Sequence, residues 1–277
     1  MIFFKIVSQE LASFHAISMA LKVTNPQQLH AARAGIREIV FCNDAQDFYS
    51  AVLDSSLNEA LSSLSHISNK NGELDVPIER LKKLTGKKLY KIMAQTVLSN
   101  KEKWSAMCHG DLWINNLLFA TNARGEVDRV KFVDLQTIRY TNLVTDILLI
   151  FYSSTEKELR YNHFEELITI YQHNLVENLR QYLGKNYVEE FNTLEHELTV
   201  DNMKKELANH ALFGFGMCLW LLPAVTFDRI PNLDTVTMND FVSNDFIAQN
   251  HSNEYHIRIK DIVLEYFHRG FLDNLAL

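Results

Sequence analysis

Apolar residues recur at helical spacing through most of the chain and predict a mainly helical protein. The first helical segment has its apolar positions at Ile6, Val7, Leu11, Phe14, Ile17 and Leu21. Asn25 and Pro26 follow, and a proline does not continue a helix. Residues 44–64 repeat the helical pattern, and a polar segment with Gly72 at its turn comes next. Pro77 then suits the first turn of another helix, where its missing N–H is not needed.

The same spacing predicts further helices at residues 142–152, 156–183, 188–198, 201–222 and 253–271. Gly184 is expected to end the longest of them. Residues 27–42 are predicted to be less regular, and residues 223–246 to be irregular. All four prolines lie at predicted boundaries (Pro26, Pro77, Pro223 and Pro231), so the local signals agree with one helical domain.

One stretch departs from the helical pattern and predicts a β-hairpin. Residues 117–120 and 130–135 are apolar and short enough for strands, and the polar residues between them include Gly125, which suits a turn. Antiparallel pairing of the two strands would return Asp134 to the loop that precedes the first strand. The sequence therefore predicts that this loop and Asp134 lie together.

Three oxygen-bearing residues in this region have the spacing of kinase-type phosphoryl transfer. Asp111 is followed by Asn116 five residues later, and Asp134 follows an apolar strand. In that chemistry one carboxylate takes the proton of an attacking hydroxyl, while an amide oxygen and another carboxylate hold the magnesium on the nucleotide phosphates. Asp111 alone would be an ordinary turn or cap residue, but the combination is difficult to obtain by chance.

The residues around these positions carry a resemblance to a known family. The chain contains CHGDLWINNLLF at residues 108–119 and FVDLQ at residues 132–136. These runs are similar to the choline-kinase-like and aminoglycoside-phosphotransferase-like branch of the protein-kinase-like fold. They most closely resemble the ecdysteroid kinase-like (CHK kinase-like) family of insects. Other runs also resemble it, at residues 10–18, 145–155 and 213–223, so the resemblance extends from about residue 5 to about residue 271.

The resemblance implies ATP-dependent phosphorylation of a small hydroxylated acceptor, such as an ecdysteroid or a xenobiotic. Asp111 would orient and deprotonate the hydroxyl. Asn116 and Asp134 would hold Mg²⁺ on the ATP phosphates, so the implied cofactors are ATP and Mg²⁺. Positioning and electrostatics would supply the catalysis.

Four more residues receive supporting roles from the resemblance. His109 is expected to brace the loop by hydrogen bonding. Trp113 is expected to pack the loop onto the lobe, and a place at the substrate pocket is the alternative. Gln136 stands where protein kinases have a glycine, as the family has it. Asp146 resembles the acidic residue at the start of the family's next helix, where a carboxylate accepts N–H groups.

Other polar or aromatic residues have weaker assignments. Asn115 lacks the five-residue offset from Asp111, so it is not the expected ligand. His15 is interpreted as a packed helix residue and not as a ligand. Trp220 and Phe227 are candidates for the acceptor pocket, because this region flanks the acceptor site in the family, although such residues at helical spacing are more often core.

The implied fold is the C-terminal lobe of a protein-kinase-like fold, mainly helical with a small antiparallel hairpin. It would occupy residues 1–277 as one lobe, with a catalytic core at about residues 104–155 and a substrate-side helical region at about residues 156–277. The catalytic-lobe helix starts almost at the first residue. An N-terminal lobe, with its nucleotide-covering loop, strand lysine and helix glutamate, is therefore expected to be missing.

A lobe without its other half suggests a second hypothesis, a non-catalytic remnant that serves as a binding or interaction module. Such a lobe would expose apolar surface, which predicts self-association. A protein kinase is a third and weaker hypothesis. It is opposed by Gly110 in place of the loop arginine, by the aspartate-x-glutamine run and by the lack of an alanine-proline-glutamate signature.

Composition narrows the remaining classes of function. With 27 Lys+Arg against 34 Asp+Glu the net charge is −7, and no basic run appears, so nucleic acid is not an expected partner. Three widely spaced cysteines, Cys42, Cys108 and Cys218, predict reduced core residues and no structural metal site. No segment has the features of a signal peptide or of a membrane span, so a cytoplasmic location without a membrane partner is expected.

Overall fold

A computed structural model describes residues 2–68, 72–98, 102–226 and 252–273. Helices dominate these residues, and two small antiparallel sheets accompany them. The predicted mainly helical class is therefore confirmed.

The chain divides into two compact units, each built from two segments. The first unit comprises Met1–Ile39 and Thr96–His210, and the second comprises Val40–Gln95 and Ala211–Leu277. The predicted catalytic core, residues 104–155, lies wholly in the first unit. The predicted substrate-side region, residues 156–277, is divided between the two.

The first unit holds helices α1 (Ile2–Thr24), α2 (Pro26–Ala34), α6 (Val144–Ser154), α7 (Lys157–Leu183), α8 (Val188–Glu197) and α9 (Val200–Asn209), and strands β1 (Ser105–Cys108), β2 (Leu117–Thr121), β3 (Val127–Phe132) and β4 (Arg139–Asn142). The second unit holds α3 (Gln46–Ser68), α4 (Asp75–Lys82), most of α5 (Lys88–Leu98), α10 (Ala211–Thr226) and α11 (Asn253–His268). Single helical turns at Glu102–Trp104, Ile114–Asn116, Leu135–Thr137 and Gly184–Asn186 join some of these elements.

Helix α1 ends where the sequence predicts, because the next residue, Asn25, caps the start of α2. The Asn25 side chain accepts a hydrogen bond from the Gln28 N–H at 3.1 Å, and Pro26 takes the first position of α2. The expectation that residues 27–42 are less regular is therefore wrong for their first part. The helical spacing there is weak, since Leu29 is the one buried residue of α2.

The predicted helix at residues 201–222 is two helices, and Pro223 is not a boundary. Thr199 caps α9 by accepting from the Asn202 N–H at 3.2 Å, and His210 separates α9 from α10. Pro223 lies inside the last turns of α10. A proline removes one helical hydrogen bond and crowds the preceding turn, a cost that this fully apolar, buried helix tolerates near its end.

The predicted hairpin is formed by β2 and β3, which pair antiparallel with Leu117 opposite Phe132. Asn122 stabilises its turn, since its side-chain oxygen accepts from the N–H groups of Arg124 and Glu126, and Gly125 has φ +77°. A second pair, β1 with β4, sets Cys108 opposite Arg139 and was not predicted.

The two strand pairs determine where the loops of the site lie. Residues 109–116 connect β1 to β2, and residues 133–138 connect β3 to β4. Because β1 pairs with β4 and β2 with β3, both connections lie at the same ends of the paired strands. Helix α1 supports them from one side, where Phe14 contacts Phe132 with ring centroids 6.2 Å apart.

The apolar helix α6 starts just after β4 and is buried almost throughout. Phe4 of α1 packs on Phe151 of α6, with ring centroids 4.8 Å apart. This packing joins α6 to α1. Among the described helices no single one is long and apolar enough to cross a membrane; the consecutive helices α9 and α10 reach that length and composition only when taken together.

Candidate active site

Asp111 and Asn116 lie at the two ends of one tight loop and are joined by their side chains. The Asn116 amide nitrogen donates to the Asp111 main-chain oxygen at 2.8 Å and to the Asp111 carboxylate Oδ2 at 3.0 Å. Both of these partners can only accept, so the amide nitrogen of Asn116 is the atom that faces Asp111. The Asn116 amide oxygen is therefore the atom available to a cation.

Asp134 lies on the facing connection in a left-handed backbone conformation, with φ 64° and ψ 62°. Such a conformation is strained for a residue other than glycine, although aspartate tolerates it better than most. The preceding residue is fixed, because the Val133 N–H donates to the Asn116 main-chain oxygen at 3.1 Å. Gln136 donates from Nε2 to Asp134 Oδ2 at 3.2 Å. The Asp134 carboxylate is exposed and is held beside the Asn116 end of the loop.

His109 links the two connections and is fully buried. The Asp111 N–H donates to His109 Nδ1 at 3.3 Å, so Nδ1 carries no proton. The proton is then on Nε2, which lies 3.0 Å from the Val133 carbonyl oxygen and donates to it. Both ring nitrogens are occupied in this way, which supports the predicted bracing role.

The electrostatic surroundings of Asp111 suit a proton acceptor. Burial raises the pKa of Asp111 and outweighs the lowering contributions of Asn116, His109 and Trp113, and the Asp134 charge adds the smallest contribution, which also raises it. A general base works best when its pKa is nearer to the working pH than that of a free carboxylate.

Asp146, the third residue of α6, is buried completely and holds the start of the loop. Its Oδ2 accepts from the His109 N–H at 2.6 Å, and its Oδ1 accepts from the Gly110 N–H at 2.9 Å. His15 Nε2 lies 3.1 Å from Oδ2. Burial on its own would raise the pKa of Asp146, but its interactions with His15, with His109 and with the Gly110 N–H together lower it.

We expect Asp146→Asn to destabilise the protein at pH 7 by about 3 kcal/mol, because an amide nitrogen would face a buried N–H group. The folded-state pKa of Asp146 is lowered, so its contribution to stability is present above the unfolded pKa and is lost as the pH falls through the folded pKa. The difference between wild type and variant should thus shrink below about pH 4. Urea unfolding from pH 7 to pH 3 measures this difference.

The matched control for this series is Asp128→Asn, which removes an exposed carboxylate from β3. It should change the free energy of unfolding by less than about 0.5 kcal/mol at every pH. A difference between wild type and Asp146→Asn that stays constant down to pH 3 would contradict the assignment.

One group of buried side chains has the composition of a metal site but not its chemistry. Ligand atoms of His15, Cys108 and Asp146 lie within 4.8 Å of one another. Both Asp146 oxygens already accept hydrogen bonds, and burial raises the pKa of Cys108 well above its ordinary value. A protonated thiol is a poor metal ligand. Within the described residues, His15 and Asp146 are therefore part of a hydrogen-bonded network, and the Cys108 thiol beside them meets main-chain oxygens such as that of Thr141.

The remaining predicted residues are less closely tied to the loop. Trp113 is half-buried, and its main-chain N–H donates to the Asp111 main-chain oxygen at 3.2 Å. Asn115 is exposed. Trp220 lies in α10 of the second unit, where its ring packs on Tyr49 with centroids 5.1 Å apart. Phe227 lies outside the described residues.

Two residues of the network were not assigned a functional role from the sequence. His15 is a packed helix residue, as predicted, but it also binds Asp146. Tyr171 of α7 binds the other ring nitrogen of His15 at 2.6 Å. The one available signal was His15 itself, since a histidine on a buried apolar helix face requires partners. Nothing in the sequence indicates which residues those partners are.

An open apolar groove of about 310 Å³ lies next to the loop in the first unit. Its walls come from α1, the loop turn, β2 and the end of α6, and they include Phe3, Val7, Ile114, Leu117 and Phe119. Ser154 is a polar group on its wall, and its hydroxyl accepts from the Ile114 N–H at 3.0 Å. Asp111, Asn116 and Asp134 do not line this groove.

The mainly helical fold, the braced loop and the hairpin that returns Asp134 to it define a kinase-like protein. The model of the ecdysteroid kinase-like family (EcKL) matches residues 3–184 of the 277 residues, well over half of the chain. The chain therefore belongs to the ecdysteroid kinase-like family, whose members are kinase-like phosphotransferases. No curated protein and no solved structure matches the chain.

Proposed function

We propose that this protein transfers the γ-phosphoryl group of ATP to a hydroxyl group of a small acceptor. The observation that carries the proposal is the shared loop of Asp111 and Asn116, with Asp134 held against it through Val133. Kinase-like families generally use ATP and Mg²⁺. The proposed acceptor, an ecdysteroid or a lipophilic xenobiotic, is inferred from the family and not from the shape of a pocket. The proposed location of the protein is the cytoplasm.

The residues fit a magnesium ion in their chemistry. Mg²⁺ prefers oxygen ligands, and it is commonly bound by one or two protein groups together with phosphate oxygens. The Asn116 amide oxygen and the exposed Asp134 carboxylate supply such ligands, because the Asn116 nitrogen is turned toward Asp111. When bound, Mg²⁺ neutralises the negative charge that the phosphates carry.

Three side chains of the loop have separate roles in the proposed reaction. Asp111 accepts the proton of the acceptor hydroxyl as that oxygen attacks, and its raised pKa favours this step. Asn116 holds the Asp111 carboxylate in one orientation through the hydrogen bond at 3.0 Å. His109 keeps the two connections together and leaves the proton transfer to Asp111.

The direct test measures magnesium-dependent ATP binding and phosphoryl transfer with the whole chain. Radiolabelled ATP and a panel of hydroxylated acceptors, ecdysteroids among them, should give a phosphorylated product in the presence of Mg²⁺. We expect Asp134→Asn to weaken the magnesium-dependent part of ATP binding at least about tenfold and to lower the transfer rate by on the order of 10³-fold, since a neutral amide is a weaker ligand than a carboxylate.

Asp128→Asn is the charge-matched control, because it removes one exposed carboxylate from the same hairpin. It should leave both measurements within about twofold of the wild type. Equal losses in Asp134→Asn and Asp128→Asn would mean that Asp134 acts through overall charge and not as a ligand. If the wild-type protein neither binds ATP nor transfers phosphate, the proposal is overturned.

A second candidate function is a binding module without catalysis, and the apolar groove favours it. Its volume of about 310 Å³ is in the range of small-molecule sites, and its wall is mostly apolar. Phe3 and Ile114 on this wall are 53% and 44% exposed, so part of the apolar surface meets solvent. Self-association belongs to this candidate too. Saturable binding of an apolar ligand, with no ATP binding in the same sample, would select it.

A further inference from the structure

A chain of buried polar side chains leads from the interior of the first unit to the loop. The Tyr171 hydroxyl meets His15 Nδ1 at 2.6 Å, and His15 Nε2 meets Asp146 Oδ2 at 3.1 Å. Asp146 in turn accepts from the N–H groups of His109 and Gly110. His15, Asp146 and Tyr171 are at most 2% exposed. Three helices, α1, α6 and α7, therefore contribute one side chain each to the support of one loop.

The partners determine where the protons are. The Asp146 carboxylate can only accept, so His15 Nε2 must carry a proton. In the neutral ring Nδ1 then has none, and it accepts from the Tyr171 hydroxyl. Burial raises the pKa of Tyr171 well above its ordinary value, so the hydroxyl keeps its proton. The Asp146 carboxylate thus sets the ring form of His15, and the Tyr171 hydroxyl satisfies the remaining ring nitrogen.

We propose that His15 is a positioning residue for the catalytic loop, with Tyr171 as the partner of its second ring nitrogen. Its hydrogen bond holds Asp146 Oδ2 at the place where the carboxylate receives the His109 and Gly110 N–H groups. These two residues directly precede Asp111, so their orientation determines the orientation of the base. The kinetic part of this inference rests on the proposed phosphoryl transfer; the structural part does not.

Simple packing does not account for the choice of these residues. Helices α1 and α7 also bury apolar residues, Leu11 and Leu175 among them, and a buried polar pair costs desolvation that a phenylalanine would avoid. A satisfied buried network gives instead one defined arrangement of the groups that it joins. Removing a residue that hydrogen-bonds to a metal ligand and orients it typically costs 10-fold to 100-fold in affinity or activity. We expect a similar effect for a residue that orients a catalytic group.

The first measurement compares three variants of the whole chain. His15→Phe removes both ring nitrogens, and His15→Gln restores a donor near the position of Nε2. Leu175→Ala is the control, because it makes a cavity in α7 one turn after Tyr171 and removes no polar group. We expect His15→Phe to lower kcat by about 10-fold to 100-fold with KM for ATP within about threefold, and His15→Gln to recover most of the loss.

The second measurement needs no activity. Amide hydrogen exchange of His109 and Gly110 should accelerate at least about tenfold in His15→Phe relative to amides in the middle of α7, whereas Leu175→Ala should affect both regions alike. If wild-type protein transfers no phosphate, the proposed function fails, and hydrogen exchange alone decides this inference. Equal acceleration in both regions of His15→Phe would overturn it.

Tyr171→Phe covers the case in which His15→Phe does not fold. It removes one hydroxyl and leaves the histidine ring in place. A selective acceleration at His109 and Gly110, smaller than that expected for His15→Phe, would support the inference. Exchange at these amides that changes no more than in α7 would overturn it.

Discussion

Asp111→Asn is expected to lower phosphoryl transfer by on the order of 10³-fold or more while the fold and ATP binding stay intact. The substitution keeps the shape of the side chain, and its amide oxygen can still accept from Asn116 Nδ2, a contact of 3.0 Å in the wild type. What it removes is the atom that takes the hydroxyl proton. The loss should appear in kcat, with KM for ATP within about threefold.

Two control measurements distinguish the loss of a base at Asp111 from a general disturbance of the loop. Asn115→Ala changes an exposed residue in the helical turn that ends this loop, and it should keep kcat within about twofold. The melting temperature of Asp111→Asn should stay within a few degrees of the wild type. Unchanged turnover in Asp111→Asn would remove Asp111 from the role of base.

Gly110→Ala is expected to destabilise the first unit by about 3 kcal/mol or more. Gly110 has φ +81°, and a Cβ built on it would lie 2.2 Å from the Thr137 main-chain oxygen and 3.0 Å from Arg139 Nε. The carbonyl oxygen belongs to the facing connection between β3 and β4, so the two connections would have to separate. Urea unfolding and transfer activity should both report this separation.

Gly125→Ala is the matched control for Gly110→Ala. Gly125 has φ +77°, nearly the same conformation, but a Cβ there would have no heavy atom within 4 Å. It should therefore cost only the backbone strain, about 1 to 2 kcal/mol. Equal effects of the two substitutions would mean that the close approach to Thr137 is not a constraint. The contact also explains why no side chain as large as the arginine of protein kinases fits this position.

The parts of the site that are close in sequence could be predicted. The spacing of Asp111 and Asn116 places both in one loop, and the apolar pattern around Gly125 predicts the hairpin that β2 and β3 form. The bracing position of His109 was also expected. These are local features, in which a few residues and a single turn decide the geometry. Their roles in catalysis stay predictions until the variants are measured.

Errors in the prediction occur where local signals are weak or are overridden by burial. Helix α2 was missed because it has little apolar periodicity, and its start depends on the cap by Asn25. Pro223 was taken as a boundary, but the apolar surroundings of α10 carry the helix past it to Thr226. Tertiary burial is worth more than the propensity of one residue at a helix end.

The sequence by itself determined the mainly helical class and the hairpin, and it predicted the three oxygen-bearing residues of the candidate site. Only the tertiary structure decided the pairing of β1 with β4 and the support behind the loop. His15 is 131 residues from Asp146 and 156 residues from Tyr171. Hydrogen bonds over such separations depend on how α1, α6 and α7 pack, and periodicity shows which face of each helix is buried but not which residue it meets.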